Sequence, residues 1–332
     1  MDNLEKIGIV IIGRNEDKRL QLCFDSMNGL ECAKVYVDSC STDSSIAIAE
    51  SNQIEIIELD LAKPLSAARA RNEGFQRLVQ LNPSIEFVQF IDGDCTLLAG
   101  WIEVASNALI NNSQRAAVIG HLLERNIEAS SYNRLCALEW RSAPGDLSDF
   151  GALGGISMIR TSVFKELGGF NPEVIAGEDS EFGVRMGLAG YKVTKLDQQM
   201  ATHDANILKF SQWWKRSVRA GHAIGQRAFI NGDSAHRDCM KERNSTLFWG
   251  GLIPLLIVVL LPFTQGYSLL LVGAYFYLGY RVITFRLKLG DSLSDAWFYT
   301  KFLLLSKFAN MVGLMKFNFN KLSERYEIIE YK

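Results

Sequence analysis

Four short apolar runs recur through the first part of the chain: IGIVIIG (7–13), AKVYVD (33–38), IEIIELD (54–60) and EFVQFID (86–92). Each is followed by a stretch that reads as a helix, namely Asn15 to Met27, SSIAIAESN, AARARNEGFQRLVQL and GWIEVASNALINN. Unbroken apolar strands alternating with helices of this length predict an α/β fold, a mostly parallel sheet with helices on both faces. In such sheets ligands bind beyond the carboxyl ends of the strands. The residues to weigh are then Gly13-Arg14-Asn15-Glu16, Asp38-Ser39-Cys40-Ser41-Thr42-Asp43 and Asp92-Gly93-Asp94, which converge on one edge from three strands.

Asp92 and Asp94 stand two apart, and residues i and i+2 of an extended chain project to the same side. Two carboxylates so placed repel unless a cation sits between them, and hard oxygen ligands suit Mg²⁺ or Mn²⁺. Read alone, the same stretch also fits a solvated turn. Farther along, FGALGGISMIRTSVFKELGGF carries two glycine pairs. Gly154-Gly155 permits a close backbone approach to a ligand, or serves ordinary turn chemistry. In AGEDSEFGVRMGLAGYKV, Glu178 and Asp179 open a helix that ends near Gly190, where the helix dipole by itself favours acids. His203, in MATHDA, follows a strand and suits either a structural hydrogen bond or a metal shell.

The net charge of -2 gives no general attraction to nucleic acid. The six cysteines form no CxxC pair, which suits a reducing compartment rather than a zinc or disulfide scaffold. The opening MDNLEKIGIVIIGRNE does not read as a secretory signal, so the first domain is expected in the cytoplasm. The text changes at Thr246, to TLFWGGLIPLLIVVLLPF and then YSLLLVGAYFYLGYRVITF, without a charge until Arg281. Each run approaches the roughly 20 residues needed to cross a bilayer. A buried core helix is the plainer alternative, but two runs joined by TQG, with basic residues on both outer flanks, predict a membrane hairpin with both ends cytoplasmic. In FSQWWKRSVRAGHAIGQR, Trp213 and Trp214 beside Lys215 and Arg216 suit a headgroup region, or else a packed amphipathic helix. Ala296 to Phe317, interrupted by Lys301 and Lys307, reads as an interfacial helix.

Seven pieces between Ile7 and Asp204 together resemble the family 2 glycosyltransferases: IGIVIIGRNE, VYVDSCSTDSS, ARARNEG, FVQFIDGDC, ALGGISMIR with LGGF, GEDSEFGVRMGLAGYKV and the late His203. The resemblance implies the Rossmann-like GT-A fold over 1–206. It further implies that Asp38, Arg71 and Asn72 surround the nucleotide, with Asp92, Gly154, Gly155 and Glu178 also on the donor. Asp92 and Asp94 would hold Mn²⁺ or Mg²⁺ with His203 as a third ligand, and Asp179 would be the catalytic base. Two departures stand out. Ser39 replaces the second Asp found in many members, and Gln212-Trp213-Trp214-Lys215-Arg216 does not match the QxxRW signature of processive synthases.

The expected activity is an inverting transfer from a nucleotide-sugar, a UDP-sugar by resemblance, to a polyprenyl-diphosphate-linked saccharide at a bacterial inner membrane. Direct transfer to polyprenyl phosphate, a non-catalytic sugar-nucleotide-binding subunit and a nucleotidyltransferase are the alternatives. GRNE is a poor substitute for the glycine-rich basic loop the last would want. The expected organisation is a catalytic domain over 1–206, a basic aromatic segment at the membrane surface over 207–245, a transmembrane or embedded hairpin over 246–288, and an interfacial helix and tail over 289–332. Removing Thr246 to Lys332 is expected to release a soluble domain.

Overall fold

The computed structural model describes residues 4–323; the end of the expected tail, 324–332, lies outside them. The chain divides into two compact units. Among the described residues, the first runs to Asn126 and resumes from Ala143 to Ala205; the second holds Ile127–Ser142 and 206–323. The segment 127–142, read from the sequence as part of the catalytic domain, therefore packs with the C-terminal half.

Among the described residues the first unit is built on nine strands: β1 (Ile7–Gly13), β2 (Ala33–Asp38), β3 (Glu55–Glu58), β4 (Phe87–Asp92), β5 (Cys95–Leu97), β6 (Arg115–Glu124), β7 (Gly145–Asp146), β8 (Ser157–Arg160) and β9 (Lys192–His203). They form one sheet in the order β3-β2-β1-β4-β8-β6-β9-β5, with β7 pairing β9. β1 to β4 are parallel, as expected. The far half is mixed, because β8 runs antiparallel to both β4 and β6, while β6 and β9 are parallel. Helices α1 (Lys18–Asp25), α2 (Ser45–Ser51), α3 (Ala67–Leu81) and α4 (Trp101–Ile110) cover it together with α6 (Thr161–Glu166) and α7 (Glu178–Leu188); α5 (Ser131–Glu139) belongs to the second unit.

Strand alternation sorts the core onto two faces. Ile9 and Ile11 point into one apolar cluster with Leu20, Phe24 and Trp101, whereas Val10 and Ile12 point into the other with Leu78, Phe164 and Phe182. In the second cluster Phe90, Phe164, Phe170 and Phe182 pack ring on ring with centroids 5.1–5.2 Å apart. Gly74 brings α3 down onto the sheet, since a Cβ there would lie 2.5 Å from Val10. A bulkier residue would lift the helix that carries Arg71 and Asn72.

The second unit adds α8 (Phe210–Asn231), α9 (Met240–Thr246), α10 (Ile253–Leu260), α11 (Gly273–Lys288) and α12 (Leu293–Ser323) to α5. A π-helical stretch, Leu247–Leu252, joins α9 to α10, and a 3₁₀ stretch, Tyr267–Val272, leads into α11. α8 and α12 approach with Gly221 and Gly313 against each other's backbone, where any Cβ would collide. Trp213 is buried between Tyr132 and Phe302. It is therefore a core residue of this unit and not a membrane-facing aromatic. Arg286 and Asp291 form a buried ion pair, which Arg141 joins at 3.0 Å. Two helices, Met240–Leu260 and Tyr267–Lys288, are long and apolar enough to cross a membrane.

Candidate active site

The carboxyl ends of β1, β2 and β4 carry the expected polar residues, but the structure divides them into distinct groups. Asp38, at the end of β2, is fully buried. Its carboxylate accepts from Tyr36 Oη at 2.8 Å, from Ser41 Oγ at 2.6 Å and from Ser41 N at 2.7 Å. Burial and the Asp38 charge push the Tyr36 phenol well above its ordinary value, so it stays a donor. Asp38 therefore shapes the loop that follows. Asn15, at a left-handed φ of 57°, accepts from Thr42 N at 2.8 Å and donates its own N–H to Ser41 Oγ at 2.9 Å. Ser41 and Asn15 were not singled out from the sequence as site residues, though both lie in the stretches that follow strands.

Arg71 projects from α3 and is 2% exposed. Its guanidinium lies 2.6 Å from Asp92 and pairs on the other side with Glu178, the first residue of α7. Burial works against this charge, but Asp92, Glu178 and Asp179 together hold the Arg71 pKa above its ordinary value. The expected neighbourhood of Arg71, Asp92, Glu178 and Asp179 is thus present, with Arg71 at its centre. Gly155 faces the same guanidinium: a Cβ there would stand 2.6 Å from Arg71 Nη2 and 3.5 Å from Asp92 Oδ2. Its neighbour Gly154 has φ +76°, a conformation that favours glycine, and open space around it.

Asn72, expected beside the nucleotide, directs its side-chain amide at the backbone of Phe170. Its Nδ2 donates to Phe170 O at 2.7 Å and its Oδ1 accepts from Phe170 N at 2.9 Å. The amide pins the loop at Phe170. Asp179 is half-buried at the start of α7, with Oδ1 accepting from Ser180 N at 2.7 Å.

The expected metal pair, Asp92 and Asp94, takes different partners. Gly93 and Asp94 form a turn between β4 and β5, so the alternation of an extended chain does not apply across them. Asp92 turns to Arg71, while Asp94 is 4% exposed and lies 3.3 Å from His203 Nε2. The pairing of β5 with β9 sets Cys95 opposite His203, and so brings Asp94 beside the imidazole. Ligand atoms of Asp94, Cys95 and His203 lie within 4.8 Å of one another. Of the three residues read from the sequence as metal ligands, Asp94 and His203 lie together with Cys95, and Asp92 pairs with Arg71. Burial, and then Asp94 and Asp92, push the Cys95 thiol well above its usual range. It remains a thiol and donates to Asp94 Oδ1 at 3.4 Å. A carboxylate and an imidazole held together fit a divalent cation that accepts both oxygen and nitrogen. A neighbouring residue in the sequence, Cys95, was the signal available for the third member.

Behind His203, Glu124 on β6 accepts from Asn126 N at 3.0 Å and from Ala205 N at 3.1 Å. Burial raises its pKa. Arg125 bonds Thr96 and Thr202, with Thr202 at 3.3 Å, tying β5, β6 and β9 together around the cluster.

With this geometry in view, the chain can be set beside known proteins. A model of "Glycosyl transferase family 2" matches residues 8–168, and a model described as "N-terminal domain of galactosyltransferase" matches 146–209. No curated protein sequence matches the chain. Among solved structures, the mannosyltransferase PcManGT from Pyrobaculum calidifontis, in complex with GDP-Man and Mn²⁺, aligns with TM-score 0.59 at 14% identity, over 95% of this chain and 88% of its own. S. aureus TarS aligns with TM-score 0.52 at 15% identity over 92% of this chain, which spans 55% of TarS. Residues 1–349 of TarS, in complex with UDP, align at 16% identity and TM-score 0.52, over 98% of this chain and 95% of that one. Over residues 8–168 the motifs and the family match agree: this part of the chain belongs to glycosyltransferase family 2, and the fold is the GT-A fold of nucleotide-sugar-dependent transferases.

Proposed function

We propose that the chain is a metal-dependent, inverting hexosyltransferase acting from a nucleotide-sugar, a UDP-sugar, on a polyprenyl-diphosphate-linked saccharide at the cytoplasmic face of a membrane. The observation that carries the reading is the division of acids on the sheet edge. Asp94 sits with His203 and Cys95, whereas Asp179 sits beside the Arg71 bridge between Asp92 and Glu178.

An acceptor hydroxyl attacks the anomeric carbon, its C–O bond forming as the bond to the nucleoside diphosphate breaks on the opposite face. Asp179 takes the hydroxyl proton, a role worth typically ~10²–10⁴ in rate. Arg71 keeps Asp92 and Glu178 fixed and their charge partly neutralised, so that the base works in a set field. When bound by Asp94 and His203, a divalent cation supplies charge neutralisation for the departing diphosphate. The complexes of the Pyrobaculum enzyme with GDP-Man and Mn²⁺, and of TarS with UDP, support a nucleotide-diphosphate ligand on this fold. The two apolar helices and the basic residues flanking them support the membrane assignment.

Calorimetry of the detergent-purified chain with UDP, GDP, dTDP and CMP, each with Mn²⁺, Mg²⁺ or EDTA, tests this. Binding of UDP that needs Mn²⁺ and is lost in Asp94→Asn is the expected result. A folded protein that binds none of the four would overturn the enzyme reading in favour of a non-catalytic assembly subunit.

A further inference from the structure

A buried cysteine is ordinarily a small apolar core residue. Cys95 is fully buried and belongs to an apolar cluster with Ile91, Trp101 and Met200. Its sulfur has other company. Residues directly opposite in an antiparallel pair share a face, with Cβ atoms ~4.5–5.5 Å apart. β5 sets Cys95 opposite His203 on β9 in this way. Asp94, in the turn ahead of β5, brings its carboxylate round to the same place. Oδ1 accepts from Cys95 Sγ at 3.4 Å, and Oδ2 stands 3.3 Å from His203 Nε2. Bonds of about 2.0–2.3 Å from one zinc-like ion to oxygen, nitrogen and sulfur put tetrahedral ligand atoms about 3.3–3.7 Å apart. Both separations fall in that range, and ligand atoms of all three residues lie within 4.8 Å of one another.

The backbone that carries the three residues is braced. Asp204 N donates to Asp94 O at 3.2 Å, and Arg125 N donates to His203 O at 2.9 Å. The Arg125 guanidinium bonds Thr96 and Thr202, the residues next to Cys95 and His203 in sequence. Glu124 holds Ala205 N at 3.1 Å. Ligands oriented by such supporting contacts need little rearrangement to close on an ion. Asp94 is 4% exposed and Cys95 is fully buried, whereas the His203 side chain keeps 18% of its surface. An ion would enter past the imidazole, and its remaining position would face the same opening. Three protein ligands and one open position is the arrangement of catalytic zinc sites. Burial, Asp94 and Asp92 keep the proton on the sulfur while no metal is bound. The same two acids attract a divalent cation, and a thiol that coordinates one is deprotonated outright. Its proton leaves to solvent as the metal–sulfur bond forms.

We propose that Cys95 is a third protein ligand beside Asp94 and His203, so that the site takes a thiophilic divalent cation of the zinc class. The proposal rests on the metal-dependent reading above and deepens it by naming the class of ion. Thiolate sulfur selects zinc-class ions over Mn²⁺ and Mg²⁺. Co²⁺ reports the ligand set, because a thiolate bound to it adds a sulfur-to-metal charge-transfer band in the near ultraviolet. The full detergent-purified chain, stripped with EDTA and dialysed, is titrated with Co²⁺ beside Cys95→Ser, with folding checked by circular dichroism. A charge-transfer band in wild type, abolished by excess Zn²⁺ and missing from Cys95→Ser, is the expected outcome. Comparing the two cancels any contribution from the partly exposed Cys32, Cys40 and Cys239. Calorimetry should show Zn²⁺ affinity falling at least about tenfold in Cys95→Ser while Mn²⁺ affinity stays within about twofold. Co²⁺ binding without the band, or a band that persists in Cys95→Ser, would overturn the sulfur ligand and leave a site of Asp94 and His203 in place. A folded wild type that binds none of Co²⁺, Zn²⁺ and Mn²⁺ would remove the metal-dependent reading itself. Cys95→Ala, which puts no hydroxyl into the apolar cluster, repeats the comparison in case serine unfolds the core.

Discussion

Arg71 makes one charged group out of three, because its guanidinium is buried between Asp92 and Glu178. Arg71→Met leaves two acids facing each other without a cation and is expected to lower unfolding free energy by about 3 kcal/mol or more in urea titrations. Arg71→Lys should recover little of this, since an ammonium cannot bridge two carboxylates as a planar fork does. Gly155→Ala puts a Cβ against the same guanidinium, so transfer should fall sharply while urea denaturation shows a loss of about 1–3 kcal/mol. Asp179→Asn is expected to reduce turnover by ~10²–10⁴ with nucleotide affinity largely kept, as read by initial rates beside calorimetry. Asp94, Asp179 and His203 stood out in the chain because each follows a strand or opens a helix, whereas Arg71, inside α3, stood out only through the family resemblance. What the chain did not disclose was which acid faces which partner. The turn at Gly93 decides that for Asp92 and Asp94, and the pairing of Cys95 with His203 depends on β5 and β9, far apart in sequence.

At the scale of elements, the crossing of α8 and α12 is set by glycine. Gly313→Ala would drive a methyl into the Val218 carbonyl and is expected to separate the helices, costing about 1–3 kcal/mol in thermal or urea melts of the full chain. The same interface encloses His222, which packs edge-on against Phe317 at 5.5 Å and has no hydrogen-bond partner on either ring nitrogen. Burial holds its pKa down to about 4, and Lys316 on α12 adds to the effect. An unfolded histidine titrates near ~6.5, so below that pH the unfolded chain takes up a proton that the folded one refuses until about pH 4. Stability is therefore complete above ~6.5 and declines on acidification, levelling off below about 4 after a loss of order 3 kcal/mol. His222→Phe should flatten that part of the profile. The first four strands were readable because parallel central strands must be apolar throughout. The antiparallel insertion of β8 was not, since the short run around Met158 looks the same in either direction. Trp213 and Trp214 sit next to each other in an amphipathic run, and only the partners Tyr132 and Phe302 reveal that the first of them points inward.

For the whole molecule, the placement of 127–142 changes how the chain can be divided. α5 reaches α12 and its preceding turn through Arg134 to Asp295 at 2.7 Å and Arg141 to Asp291 at 3.0 Å, and Arg286 donates to Leu138 O at 3.1 Å. Removing Thr246 to Lys332 would strip these partners along with the cover over Trp213. That truncation is expected to aggregate, as measured by size exclusion, in place of the soluble release read from the sequence. Substituting Leu255, Val258 and Leu270 by serine, which leaves the α12 contacts alone, is expected to abolish vesicle flotation while the chain stays folded by circular dichroism. The interruption of the first unit by α5 also has a meaning in time. Ribosomes add about 5–20 residues per second. Once Ala205 has emerged, the strands of the first unit are all available, but α5 must still wait roughly 6–24 s for the end of α12. During that interval the buried side chains of α5, Leu135, Cys136 and Leu138, are exposed on a chain still attached to the ribosome. Slower synthesis would lengthen that vulnerable period, and a chaperone or an early encounter with the bilayer would shorten it.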